Sequence, residues 1–370
     1  MAKGGTGLKR LWRYPMLIVG LVLIAVMLGV SIHAVIAIPY QEAIRLWRAG
    51  PGVWEENARC AAPTWFDRFT RYRLPRTTVI DLDEATITRE TVGDGIDHVE
   101  VVLSFNYNYD RFPQELSLFT GADLQQGYAH VSLYWLRPDG QMITLQEDGR
   151  IRESGSYRLS QDAALHTRLG VAPHVGLFAE DLDMPAADMK VLRGDYQMIM
   201  EGELWEGDEF LDVRLVVYGQ VEGHAGTDHR RRELSVALLW GAPLALWSTV
   251  WPAALITGLA AMFLWRRRAR RSDVDHAPRP MKAALLPFFF LLVSALVFLR
   301  AALDVVGLGD PMLPTWGKVI HDARMNDALS IGLHYWVSQP AILIVMTGLG
   351  FALMGYSLHH IFNPKEKTAE

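Results

Sequence analysis

The stretch Gly307-Leu-Gly309-Asp310-Pro311-Met-Leu-Pro314-Thr-Trp316-Gly317 separates two long apolar runs, one from Leu285 to Val306 and one closing at Phe362-Asn363-Pro364. About 20 apolar residues at a rise of about 1.5 Å each cover the hydrocarbon thickness of a bilayer. A loop rich in Gly and Pro with one acid between two such runs therefore reads as two membrane helices joined by a short ordered turn. Upstream, Ala242 to Trp265 is a further apolar run, stopped by Arg266, Arg267, Arg268, Arg270 and Arg271. The first run, Met16 to Ile38, is interrupted only by Ser31 and His33 and follows Lys3, Lys9, Arg10 and Arg13.

Basic residues accumulate on the cytosolic side of membrane proteins, so the arginine cluster and the N-terminal cations both point to the cytosol. Arg230 to Arg232 lie on the opposite side of the same run and form the smaller cluster. Four spans return the chain to the side on which it began, in agreement with Lys365 and Lys367 after the last. A cleaved signal peptide is the alternative for the first run, although such cores are only about 7 to 15 residues long. Within the third run, Arg300 and Asp304 are one turn apart and share a helix face, either as a structural ion pair or as an intramembrane functional pair.

Between the first two spans the period changes. Val99, Val101, Leu103, Phe105, Tyr107 and Tyr109 alternate with polar residues, as a strand with one buried face does. Val131, Leu133 and Trp135 repeat the pattern before a Pro138-Asp-Gly140 turn and a return through Met142 to Leu145. A second hairpin is expected from Tyr196 to Trp205, turning at Glu206-Gly-Asp208 and returning through Val213, Leu215 and Val217. Between them a helix is expected, with Ser160 as N-cap, Asp162 in the first turn and Gly170 past its end. The fold class is thus four transmembrane α-helices plus an extracytoplasmic β-sandwich-like domain. The divisions are 1–39 for the N-terminus and first span, 40–76 for an interfacial amphipathic linker, 77–235 for the β-rich domain and 236–265 for the second span. A basic loop at 266–282, a helix pair at 283–364 and a tail at 365–370 complete the chain. Trp47, Trp54 and Trp65 with Arg45 and Arg48 read either as an aromatic belt on the membrane surface or as caps on the β core.

Composition narrows the function. Of 370 residues 50% are hydrophobic and 21% charged, between a soluble enzyme and a fully embedded protein. A net charge of -5 with no basic patch interleaved with aromatics excludes nucleic-acid binding as the leading class. Cys60 is the one cysteine, so no internal disulfide forms. The acids from Glu201 to Asp212 lack the spacing of a calcium loop, and Met184, Met189, Met198 and Met200 read as core filling rather than copper ligands. No catalytic, metal-ligating or cofactor-binding constellation stands out, and no glycine group is followed by the Lys-Ser/Thr of a nucleotide loop.

Gly307-Leu-Gly309-Asp310-Pro311, Pro314-Thr-Trp316-Gly317, Asp322-Ala323, Gly348 to Gly355 and Asn363-Pro364 resemble the C-terminal third of permease subunits of peptide/nickel-type ABC importers. Gly226-Thr227-Asp228 with Arg232 resembles a second signature of that family, with Arg231 and Glu233 in place of its glycine and aspartate. Read from the residues alone, Thr227 and Asp228 cap the helix that follows. The segment after the first span is similar to that of a long-ectodomain branch. The resemblance implies a bacterial or archaeal cytoplasmic-membrane protein that contacts lipid and forms part of a solute path with a second permease chain. It also implies ABC ATPase subunits that hydrolyse ATP separately and an extracytoplasmic solute-binding protein. In the family two further helices and a coupling helix bearing Glu-Ala-Ala follow the second span, where this chain has only Ser272 to Pro280. The family's usual residue at the position of Arg300 is acidic. The alternative is a membrane-anchored β domain that serves as an interaction or regulatory module without a transport path.

Overall fold

The structure is a computed structural model that describes residues 14–50, 52–93, 95–125, 127–152, 154–270 and 281–362. The N-terminal cations Lys3 to Arg13, residues 271–280, Asn363, Pro364, Lys365 and Lys367 lie outside the described residues. The chain divides into two compact units, Met1–Val53 with Arg232–Glu370, and Trp54–Arg231.

The helical unit contains α1 (Pro15–Ala37), α2 (Tyr40–Arg48), α3 (Leu234–Arg270), α4 (Met281–Val305), α5 (Trp316–Met325) and α6 (His334–Phe362). Helices α1, α3, α4 and α6 are long and apolar enough to cross a membrane. Pro15 starts α1 at a position where the missing N–H costs nothing. Helix α3 continues past Trp265 through the arginines to Arg270. Small residues set the packing distance: a β-carbon at Gly348 would lie 2.4 Å from the Phe298 ring, and one at Gly355 2.7 Å from Leu291. The face of α6 that carries these glycines is therefore the one that meets α4, and Ser294 Oγ seals the contact by donating to the Gly348 carbonyl at 2.8 Å. The loop after α4 holds more than a turn, because Thr315 accepts from Lys318 N at 3.2 Å and caps the additional helix α5.

In the other unit the strands are β1 (Thr78–Ile80), β2 (Thr86–Gly93), β3 (Ile96–Tyr107), β4 (Glu115–Asp123), β5 (Tyr128–Leu136), β6 (Met142–Arg152), β7 (Ser154–Tyr157), β8 (Gly194–Trp205) and β9 (Glu209–Tyr218). They form two antiparallel sheets, ordered β1-β9-β4-β7 and β2-β3-β8-β5-β6. The alternating rows of both sheets bury into one cluster that includes Val99, Val101, Leu103, Trp135, Met200, Leu215 and Val217. At one end Phe105, Tyr107, Trp135, Phe178 and Tyr196 pack ring against ring, with Trp135 Nε1 donating to the Leu177 carbonyl at 3.3 Å.

Three expectations about this unit are corrected. Strands β8 and β9 are not a hairpin: β8 pairs with β3 and β5 while β9 pairs with β1 and β4, so the chain crosses from one sheet to the other. Both strands bury their alternate residues in the shared core from opposite sides. Buried Asp208 fixes the corner by accepting from Gln125 N at 2.8 Å and Trp205 N at 3.3 Å. The helix Ala163–Leu169 is capped by Asp162, which accepts from Leu165 N at 2.8 Å, whereas Ser160 Oγ accepts from Leu116 N. Met198 and Met200 are core residues, but Met184 is 44% exposed. The expected linker also divides: Tyr40–Arg48 is helix α2 of the helical unit, while Trp54 onward belongs to the β unit. Trp47 is buried, not part of an exposed belt.

Cys60 N donates to the Asp228 carbonyl at 3.0 Å, which holds the thiol half-buried. Burial, aided by the Asp228 carboxylate, pushes its pKa up to about 11 against a weaker opposing pull from Arg59. The folded chain is therefore expected to react slowly with iodoacetamide at pH 8. Its rate should climb through about pH 11, whereas the denatured chain should react as an ordinary thiol with a pKa of about 8.5.

Candidate functional site

Arg232 is the first residue of the helical unit's second segment and is only 3% exposed. Its Nη2 donates to Asp322 Oδ2 at 2.8 Å and its Nη1 to the Trp47 carbonyl at 3.1 Å. The guanidinium carbon also stands 3.8 Å from the centroid of the Trp47 ring. Arginine suits this place because its plane stacks on the indole while its fork donates in two directions. Asp322 is supplied by α5, and Lys318 one turn earlier donates from Nζ to its other oxygen at 2.7 Å. One buried carboxylate is thus met by two cations, which offsets the desolvation that an isolated charge would suffer.

A second carboxylate lies at the end of α4. Asp304 is 3% exposed, its Oδ2 accepts from Thr315 Oγ at 2.8 Å, and its Oδ1 lies 3.2 Å from Arg300 Nε without hydrogen-bond geometry. The loop glycines are explained by this side chain. A β-carbon at Gly309 would lie 2.0 Å from Asp304 Oδ1, and one at Gly317 2.5 Å from Asp304 Cβ. Gly307, at φ +88°, turns the chain into that close approach. Trp316, buried at the start of α5, donates from Nε1 to the Leu238 carbonyl at 2.9 Å and brings its indole close against Gly241 of α3. Between α3, α4 and α5 a cavity of about 120 Å³ is lined by Thr249, Val297, Arg300, Asp304, Thr315 and Trp316.

The remaining residues singled out from the sequence separate into other places. Gly226, Thr227 and Asp228 lie in the β unit. Thr227 Oγ accepts from Ala61 N at 2.9 Å and donates to the Ala58 carbonyl at 2.7 Å. Asp228 accepts from Arg230 N at 2.8 Å on its side chain and from Cys60 N at 3.0 Å on its carbonyl. The capping reading is corrected: these residues fasten two loops, and α3 begins later, at Leu234. Asp310 and Pro311 are exposed, with Asp310 Oδ1 accepting from Met312 N. Asn363 and Pro364 are outside the described residues.

The structure therefore joins Arg232 to Asp322 across ninety residues of chain, and gathers Asp304, Gly309, Trp316 and Gly317 around one loop. Trp47 and Lys318 complete the first cluster and were not legible as members of it. The spacing of Lys318 and Asp322 at i and i+4 was the available sign. Among the described residues no group of three or more His, Cys, Asp or Glu side chains is arranged to hold a metal ion. What the arrangement does is fix where the chain enters and leaves the helical bundle.

No family model matches the sequence. Over 87 residues the chain is 30% identical to the glutathione transport system permease protein GsiD of Pectobacterium atrosepticum, a match covering 23% of this chain and 28% of that protein. Over 86 residues it is 33% identical to the GsiD of an Escherichia coli strain, covering 23% and 27% respectively. The chain thus spans little more than a quarter of the curated relatives it matches. Among solved structures, a carbohydrate-binding module of the β-sandwich superfamily aligns at 10% identity and a TM-score of 0.16, over 44% of this chain and 61% of that one. That score is too low to indicate a common fold. The similarity to a permease over part of the chain is what stands.

The contact between Gly241 and Trp316 is open to test. A β-carbon at Gly241 would meet the indole at 2.2 Å, so Gly241→Ala must displace Trp316 and break its bond to Leu238. Overpacking of this kind costs roughly 1–3 kcal/mol. The expected outcome is a lowered thermal unfolding midpoint of the detergent-solubilised protein, whereas Gly258→Ala, inside the same helix with nothing within 4 Å, should leave the midpoint unchanged or raise it.

Proposed function

We propose that the chain is a membrane-embedded, permease-type subunit of an ABC importer for peptides or related small solutes, of shortened form. In this reading α1, α3, α4 and α6 cross the cytoplasmic membrane, both termini are cytosolic and the β unit stands outside the cytosol. The protein carries no ATPase chemistry of its own and works with a second permease chain, separate ATPase subunits and an external solute-binding protein. The observation that carries the reading is the Arg232–Asp322 pair. It ties together the two sequence blocks that resemble the permeases, in a chain with partial similarity to glutathione permeases.

One observation favours a second reading. Only Arg271 to Pro280, with Pro278 and Pro280, separates α3 from α4, which leaves little chain for a helix that would dock on an ATPase. A membrane-anchored β domain that binds or regulates a partner transporter needs no such helix. Affinity purification from membranes in mild detergent, with the ATPase subunits of the host's peptide importers co-expressed, separates the two. The permease reading predicts that an ATPase subunit co-elutes and that deletion of the gene abolishes uptake of a labelled peptide or glutathione. No co-elution together with unchanged uptake would favour the module.

A further inference from the structure

The β unit carries a surface that the transport reading does not use. The 3-10 helix Thr64–Phe69 and the residues after it read Trp65-Phe66-Asp67-Arg68-Phe69-Thr70-Arg71-Tyr72-Arg73. Trp65, Phe66, Phe69 and Tyr72 are 43%, 41%, 78% and 51% exposed, in a region where an ordinary soluble surface would be polar. Arg68, Arg71 and Arg73 are exposed among them, and Arg111 stacks over the Tyr72 ring at 4.2 Å.

The nearby acids are turned to internal tasks. Asp67 accepts from Leu74 N at 3.0 Å, and Asp110 accepts from Arg73 N and is paired with the Arg193 guanidinium. The outward face is left aromatic and cationic. It is also rigid: Trp65 packs on Phe66 and Phe69 with ring centroids 6.0 Å apart, and its Nε1 donates to the His224 carbonyl at 3.0 Å. Thr64 N donates to the Gly223 carbonyl at 3.0 Å. The patch is thereby held against the 223–231 segment, the last of the β unit before the chain passes into the helical unit.

We propose that this aromatic and arginine surface docks on the headgroup layer of an anionic bilayer. Indole and phenyl rings with interleaved cations are what the interface between hydrocarbon and water selects, the rings for the boundary and the guanidinium groups for lipid phosphates. A lipid surface is preferred to a protein partner because, among the described residues, four helices are long and apolar enough to cross a membrane, and their insertion would tether this unit to a bilayer. The proposal rests on membrane insertion of those helices and is independent of whether the chain transports anything.

The test uses the full chain in nanodiscs, in a Cys60→Gly background that suits the φ of 51° at that residue. Nitroxide labels are attached at Phe69→Cys, at Val92→Cys on the 73%-exposed tip of β2 and at Leu259→Cys on α3. Collisions with oxygen and with a water-soluble nickel chelate then report the depth of each label. The expected result in discs containing phosphatidylglycerol is an oxygen-to-nickel accessibility ratio at residue 69 several-fold above that at residue 92. The ratio should fall toward the residue 92 value in the Arg68→Glu, Arg71→Glu, Arg73→Glu variant. An equal ratio at the two sites, or a residue 69 label shielded from both reagents as inside a protein contact, would overturn the proposal. The Leu259 label distinguishes these failures from a failure of membrane insertion, which alone would make that site accessible to nickel.

Discussion

A guanidinium buried against a carboxylate on one side and an indole on the other fixes the helical unit. Arg232, Asp322 and Trp47 come from three separate segments: Arg232 lies two residues before α3, Asp322 in the last turns of α5 and Trp47 in the last turn of α2. Removing Asp322 takes the carboxylate away from a buried guanidinium, and removing Arg232 leaves Asp322 with Lys318 as its remaining cation, so either change weakens what offsets the desolvation of the pair. Around this contact the rest follows in order. Helix α5 is held in register, its first residue Trp316 reaches Gly241, and the loop that precedes it is drawn over Asp304 closely enough to require glycine.

The β unit rests on a different constraint. Its two sheets bury one continuous core and need the chain to change sheets between β8 and β9, at a corner held by a buried aspartate. Thr227 and Asp228 close its other end by holding the returning chain to residues 58–61. Neighbouring residues of one sequence signature thus serve different units: 226–228 secure the sheet unit, and Arg232 anchors the helices.

The period of the apolar residues made much of this visible beforehand. Long apolar runs gave the four long helices, and strict alternation gave β3 and the β5–β6 hairpin with its turn at Pro138-Asp139-Gly140. What was hidden depends on residues distant in sequence. The β8–β9 segment has the local look of a hairpin, and only the positions of β3, β4 and β5 decide that its strands part company. Trp47 has the same amphipathic neighbours in a surface belt as in a buried stack, so its burial follows from Arg232, not from its own surroundings. Helix α5 is short and only partly apolar, so a loop with an embedded glycine and proline run concealed it.

The most direct measurement is a double-mutant cycle on Arg232 and Asp322 by equilibrium unfolding in mixed micelles. Breaking a buried pair from either side costs about 3–5 kcal/mol. If this contact governs the bundle, Arg232→Ala and Asp322→Ala each lose stability on that scale and the double variant loses little more than either alone. Two small losses, or losses that simply add, would contradict the account.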